Sequence, residues 1–212
     1  MVLRIKNNCF SSNTYLVIDD DAKHCLIIDP GLDELVIDNE IQELHLKPVA
    51  ILCTHGHFDH IGGVSYFKEK FEIPFYIHKA DLKLMKSANL LLKLGKINKF
   101  IKISIPDVLF IESYSAIIIS DFYLEIYNLP GHTEGSCIIQ YKDNIFTGDT
   151  IFKDGLYINK LPGENVEALK KSIREIFEIF DLNINCFPGH GPDAILDHIK
   201  SKNLDLIKFL NN

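Results

Sequence analysis

The chain has 212 residues, 47% of them apolar, enough for a sizeable buried core, and that length predicts one domain spanning 1–212. Its formal net charge of −7, with acids and bases interspersed, excludes the basic stripe that a nucleic-acid binder needs. No apolar signal segment follows Met1 and no later run approaches the roughly 18 apolar residues of a bilayer span. The expectation is a cytoplasmic protein that engages small molecules rather than nucleic acid or membrane.

In chain order, short apolar runs bounded by turn residues predict strands at Leu3 to Lys6, Tyr15 to Ile18, Cys25 to Ile28 and Val49 to Cys53. Between the last two, after a break at Asp29-Pro30-Gly31, Leu32 to Leu46 carries Leu35, Val36, Ile41 and Leu44 among acids and predicts a helix. A helix from Gly63 to just before Pro74 and a strand from Phe75 to Ile77 follow. Leu82 to Pro106 holds no acid and six lysines (Lys83, Lys86, Lys93, Lys96, Lys99, Lys102). It predicts an amphipathic helical pair with a solvated lysine face, favoured over an anion-attracting rim. Strands resume at Val108 to Ile111, Tyr123 to Asn128, Cys137 to Tyr141 and Ile145 to Thr147. Val166 to Phe180 is the clearest helix: Asn165 can cap it, Glu167 suits its first turn, and Val166, Leu169, Ile173, Ile176, Phe177 and Phe180 form one stripe. A strand at Asn185 to Phe187 and short helices from Ala194 and Leu204 complete the chain, which predicts a mixed α/β fold with helices outside sheets. The five cysteines are odd in number, widely spaced and without a Cys-x-x-Cys pair, so they read as small buried hydrophobes; Cys53 stands out only because it abuts the main motif.

That motif is Thr54-His55-Gly56-His57-Phe58-Asp59-His60, placed directly after a predicted strand. Imidazoles at i and i+2 can share one cation, while the aspartate and histidine two and three residues later can turn to a neighbouring one. Three of the chain's nine histidines fall in six residues, so the segment predicts metal binding. Gly131-His132-Thr133, Gly148-Asp149-Thr150 and Gly189-His190-Gly191 each put one ligand-type residue at the C-terminal end of a predicted strand, where rigid scaffolds carry their sites. Singly each is an ordinary turn; together they supply the ligands that the first loop lacks. His24, His45, His78 and His198 lack such a context and read as surface or packing residues.

These segments, with Asp29-Pro30-Gly31, Gly135-Ser136 and Phe187-Pro188-Gly189-His190-Gly191-Pro192, resemble the metallo-β-lactamase superfamily over nearly the whole chain. Within it they look like the short single-domain hydroxyacylglutathione hydrolase (glyoxalase II) type. The resemblance implies a four-layer αββα sandwich and two divalent metal ions, zinc first, although imidazole and carboxylate ligands also accept iron or manganese. It places His55, His57 and His132 on one ion, Asp59, His60 and His190 on the other, and Asp149 between them. The implied reaction is thioester hydrolysis by a metal-bridging hydroxide, with Asp59 and Asp149 as the catalytic carboxylates. Asp29 would orient a ligand imidazole through its free N–H. His60 stands where the commonest β-lactamase subgroup has arginine, which disfavours antibiotic hydrolysis. The competing readings are a persulfide dioxygenase with a single iron, a lactonase or esterase on the same metals, and a non-catalytic metal-binding module, the last disfavoured because none of the seven ligands is missing.

One stretch departs from the family pattern. Ile158 occupies a position where related enzymes present a cation to a glutathione carboxylate, leaving Tyr157, Ile158 and Lys160 as candidate substrate contacts, with Lys153 and the lysines between Lys83 and Lys102 as further sources of charge.

Overall fold

The computed structural model describes residues 1–158 and 163–212. The first half of the chain builds one six-stranded sheet in simple order: β1 (Val2–Lys6), β2 (Asn13–Ile18), β3 (His24–Ile28), β4 (Lys47–Leu52), β5 (Phe75–His78) and β6 (Val108–Phe110). From β3 to β6 these strands pair in parallel, and parallel neighbours need crossovers. Helices α1 (Glu34–Glu43), α2 (Phe58–Ile61), α3 (Val64–Phe71) and α4 (Leu82–Leu94) supply them. The second half builds the other sheet from β7 (Tyr114–Ile119), β8 (Phe122–Asn128), β9 (Cys137–Tyr141), β10 (Asn144–Gly148), β11 (Asn185–Pro188) and β12 (Ala194–Ile195), with α5 (Val166–Ile179) crossing between the parallel pair β10 and β11. Helices α6 (Leu196–Lys202) and α7 (Leu204–Asn211) follow.

Three apolar layers hold these elements together. Leu16, Ile27 and Ile51 on one face of the first sheet pack under Ile37, Phe67 and Met85 of α1, α3 and α4. The alternate residues of the same strands, among them Tyr15, Leu26 and Leu52, meet Phe122, Ile139 and Phe146 of the second sheet. Ile138, Ile145 and Cys186 then face Leu169, Ile173 and Ile199 on the outer side. The period-2 alternation of the strands thus produces the αββα sandwich that the sequence leads one to expect.

Most elements form where patterning puts them, and α5 is capped as expected, the Asn165 side chain accepting from the Ala168 amide at 3.0 Å. Four differences stand out. The lysine-rich stretch forms one helix, not two: α4 ends at Gly95, Lys96 takes a left-handed φ of 57°, and residues 97–105 are rich in β-branched isoleucine before Pro106. That segment lies back along α4, its Ile101 backbone held at both N–H and C=O, at 2.9 Å each, by the Asn89 side chain. Strand β7 escapes the sequence reading because it is an edge strand whose alternation is blurred, Ile118 pointing to solvent at 73% exposure. The helix expected from Ala194 begins at Leu196, because Ala194 and Ile195 pair with Cys186 and Asn185. The motif segment also contains the short helix α2, so Asp59 and His60 lie on a helical turn rather than a loop. Among the described residues, no helix is long and apolar enough to cross a membrane.

Candidate metal centre

The C-terminal ends of β4, β8, β10 and β11 lie along one edge of the sandwich, since β8 and β10 both run antiparallel to β9 and β11 runs parallel to β10. Each strand end carries ligand-type residues, and all seven predicted from the sequence meet there. His57 Nδ1 lies 3.1 Å from His55 Nε2 and 2.9 Å from His132 Nε2, and His132 Nε2 is 3.5 Å from Asp149 Oδ2. Beside this first cluster, His60 Nε2 is 3.6 Å from Asp59 Oδ2 and 3.6 Å from Asp149 Oδ1, while His190 Nε2 is 3.3 Å and 3.4 Å from Asp59 Oδ2 and Asp149 Oδ2. Asp149 therefore belongs to both groups. His24, His45, His78 and His198 join neither: His24 pairs with Asp19, His78 accepts from the Ala80 amide, and His45 and His198 are exposed.

The donor set fits divalent cations. The Nε2 atoms of His55 and His132 both lie within hydrogen-bond distance of His57 Nδ1, and His60 Nε2 and Asp149 Oδ1 are fully buried with no hydrogen-bond partner among the described residues. Buried polar atoms left unpaired are costly unless something meets them. Burial drives His55 well below the usual imidazole range, aided by the charges of His60 and His57. It brings His57 down to about 4 and lowers His132 against the pull of Asp149. These three are neutral and available as ligands. At His60 burial acts the same way, but the carboxylates of Asp59 and Asp149 outweigh it and raise the ring to about 9; at His190 hydrogen bonds to the same two carboxylates raise it to about 11. Asp149 and Asp59 stay below their ordinary values despite burial, held down chiefly by His60. Without metal, protons on His60 and His190 balance the two carboxylates where imidazole, carboxylate and a cation would otherwise combine.

Asp29 aims this apparatus. Its backbone is left-handed (φ 50°), a conformation that aspartate tolerates better than most residues. Oδ1 accepts from the Thr54 amide and Oδ2 from the Thr54 hydroxyl, both at 2.7 Å, and Oδ2 also faces His60 Nδ1 at 3.0 Å. With its hydroxyl hydrogen committed to Asp29, Thr54 Oγ1 accepts from His55 Nδ1 at 3.0 Å. The network thus assigns the Nδ1–H tautomer to His55 and holds the Nδ1–H of His60, turning both Nε2 atoms into the site. Asp81, at the start of α4, does the equivalent work from the other side. Its carboxylate accepts from the amides of Gly56 and Gly135 and from the Thr133 hydroxyl, each at 2.8 Å, tying the His55–His57 loop to the His132 loop. Two glycines are dictated by space: a Cβ at Gly189 would lie 2.1 Å from Asp149 Oδ1, and one at Gly148 (φ 48°) would lie 2.5 Å from Thr54 Oγ1.

The cluster floors a cleft of about 1060 Å³ walled by Phe10, Phe58, Leu91, Leu94, Phe152 and Tyr157. Phe10 packs edge-on to Phe58 with centroids 4.9 Å apart, and Phe152 to Tyr157 likewise at 4.9 Å. Of the candidate substrate contacts, Tyr157 lines the cleft; Ile158, 37% exposed, is not among the described lining residues, and Lys160 lies outside the described residues. No lysine between Lys83 and Lys102 lines it either: Lys99 turns to Asp33 and the Leu32 carbonyl, and Lys102 to Glu69. Sequence reasoning missed Asp81, whose partners are distant backbone amides, and the cleft residues Arg4, Lys6 and Phe10, which precede the motif by some fifty positions. Cys53 is buried behind the site, its thiol pushed up by burial and donating to the His60 carbonyl at 3.6 Å, so it offers no nucleophile.

Comparison with known proteins agrees with this geometry. Residues 7–209 match the family described as the metallo-beta-lactamase superfamily. The chain is 36% identical over 185 residues to a probable metallo-hydrolase, YqgX, of Bacillus subtilis, covering 86% of each chain. It is 31% identical over 207 residues to the hydroxyacylglutathione hydrolase GloC of Haemophilus influenzae, covering 96% of this chain and 94% of that protein. Among solved structures it resembles the BLEG-1 B3 metallo-beta-lactamase, with a TM-score of 0.84, 29% identity, and coverage of 97% of this chain and 99% of that one.

Proposed function

We propose that this chain, which belongs to the metallo-beta-lactamase superfamily, is a dinuclear hydrolase of thioesters, acting as one domain over 1–212 on substrates of the hydroxyacylglutathione kind. The observation that carries the reading is that His55, His57 and His132 gather with Asp149 while Asp59, His60 and His190 gather beside them, Asp149 lying 3.5 Å from His132 and 3.4 and 3.6 Å from His190 and His60. His55, His57 and His132 would hold one cation and Asp59, His60 and His190 the other. Bound there, a pair of divalent cations, zinc first in our reading, supplies Lewis acidity toward a carbonyl and lowers the pKa of water enough to give a nucleophile at neutral pH.

The protein's own residues do the rest. Burial keeps His55, His57 and His132 unprotonated at neutral pH, so these ligands need not lose a proton before they bind. Asp29 holds the His60 Nδ1–H, leaving only Nε2 facing the reacting region. Phe10, Phe58, Leu91 and Leu94 receive the apolar part of a substrate and exclude water from its ester carbon. No side chain has to form a covalent intermediate. The likeness to GloC supports the thioester assignment, and the likeness to a B3 β-lactamase makes β-lactams the control substrates.

The test is metal analysis of protein purified without chelators, combined with a panel of thioester, lactone, persulfide and β-lactam substrates. The expected result is close to two ions per chain and thioester cleavage that is lost on chelation and regained with metal. One iron per chain with oxygen uptake on a persulfide would replace this reading with the dioxygenase. Cleavage confined to lactones or β-lactams would replace the substrate class.

A further inference from the structure

The cleft is neutral and apolar along its walls except at one end, where β1 contributes Arg4 and Lys6. In a strand successive side chains alternate, and the buried Ile5 between them fixes Arg4 and Lys6 to the same face, toward the loop that carries His190. Arg4 is spoken for: Nη1 donates to the Gly191 carbonyl at 3.1 Å and pairs with Asp193 Oδ1 at 3.2 Å, which largely cancels its charge. Lys6 has no hydrogen-bond or ion-pair partner among the described residues. It is exposed and lines the cleft, where a lysine's aliphatic stem can lie against apolar surface while its ammonium stays in water. Apart from the histidines, these two are the only cations among the described residues that line the cleft.

We propose that Lys6, set in place beside the anchored Arg4, is the anion-recognition point of this cleft. It selects acyl thioesters whose thiol portion ends in a carboxylate or phosphate, with the apolar part of the substrate between Phe10, Phe58, Leu91 and Leu94 and the scissile carbonyl over the histidine cluster. The proposal rests on the hydrolase reading above. It moves the anion site from the region of Ile158, where the family pattern puts it, to the opposite end of the chain. The volume suits it: about 1060 Å³ exceeds what a small lactone fills and accommodates an extended, drug-sized molecule.

The experiment compares the metal-loaded protein with Lys6→Met, which keeps the apolar stem, and Lys6→Glu. The substrates share one lactoyl group on three thiols: glutathione (carboxylates), coenzyme A (phosphates) and neutral N-acetylcysteamine. In Lys6→Met the ratio of kcat/KM for the anionic ester over the neutral one should fall by about threefold, the scale of a partly exposed ion pair, and in Lys6→Glu it should fall further. Whether the glutathione or the coenzyme A ratio falls identifies the tail. Calorimetric binding of the non-cleavable S-hexylglutathione and of coenzyme A itself, on the same proteins, gives a readout independent of turnover, and its Kd should weaken in parallel for the tail that is recognised. Unchanged ratios and unchanged Kd values for both ligands in Lys6→Glu overturn the proposal. If no thioester is cleaved by any form yet the Lys6 variants still weaken ligand binding, the anion site stands and the thioesterase reading falls.

Discussion

Replacing Asp81 with alanine probes whether the two ligand loops are held together or merely lie side by side. The carboxylate is 1% exposed and accepts three hydrogen bonds, from the Gly56 and Gly135 amides and from the Thr133 hydroxyl, which alone retains another partner in Ser136. Alanine leaves two buried amides without acceptors, each costing about 1 to 3 kcal/mol, so the expected destabilisation is about 4 kcal/mol. For a chain of this size about 2 to 4 °C is lost per kcal/mol, which predicts a melting temperature lower by roughly 12 °C. Asp81→Asn keeps one acceptor and should lose about half as much. Because the freed loops carry His55, His57 and His132, metal affinity should fall together with stability, about 10- to 100-fold, as it does when groups that orient ligands are removed. Differential scanning calorimetry and competition with a metal indicator measure the two effects. An Asp81→Ala protein that melts within about 2 °C of the parent and keeps its metal affinity would refute the idea that this carboxylate braces the loops.

Three further outcomes follow from the same geometry. Gly189→Ala should reduce metal content toward one ion per chain or less, because the added methyl would lie 2.1 Å from Asp149 Oδ1 and 2.7 Å from His60 Cε1; elemental analysis reads this directly, and full loading would show that the loop yields. Asp59→Ala should cut turnover at least about 100-fold with little change in melting temperature, since in the proposed centre the group would serve the cation of the second cluster while β4 and α3 hold the surrounding chain; near-normal rates would remove Asp59 from the chemistry. Metal uptake by the metal-free protein at pH 7 should release protons, since His60 and His190 titrate at about 9 and about 11 while His57, at about 4, is already neutral. The sign is then fixed: affinity rises with pH until these two rings are deprotonated, and calorimetry in two buffers of different ionisation enthalpy counts the protons, with a count of zero contradicting the assignment.

The layers and the ligand loops were legible in the sequence because both rest on local signals. Short apolar runs bounded by turn residues mark β1 to β6 and β8 to β11, and glycine-flanked His132, Asp149 and His190 mark the strand ends from which the cluster is built. What sequence could not supply was long-range. Asp81 reads as an ordinary polar residue ahead of a helix, yet its partners stand 25 and more positions away. Lys6 reads as the end of a strand, and only the contact of β1 with the His190 loop, through Arg4 and the Gly191 carbonyl, brings it to the cleft. The lysine-rich stretch misled for the opposite reason: its composition fits a helix, but Lys96 adopts a left-handed turn and Asn89 captures the returning backbone at Ile101.

The division of labour between the sheets reaches beyond catalysis. His55, His57, Asp59 and His60 come from the first half of the chain, and His132, Asp149 and His190 from the second, so neither half holds a complete donor set for either cation. A cation bound in either group would therefore crosslink the two halves of the chain, closing the long loop from the His57 segment to His132 or the longer one from the Asp59 segment to His190. Crosslinks of that span act mostly on the unfolded ensemble, shrinking the conformational freedom it would regain. Loss of metal would then leave the apolar layer between the sheets, with Tyr15, Leu26, Phe122 and Phe146, to hold the seam, while the unfolded chain regains the freedom that the crosslink had withheld.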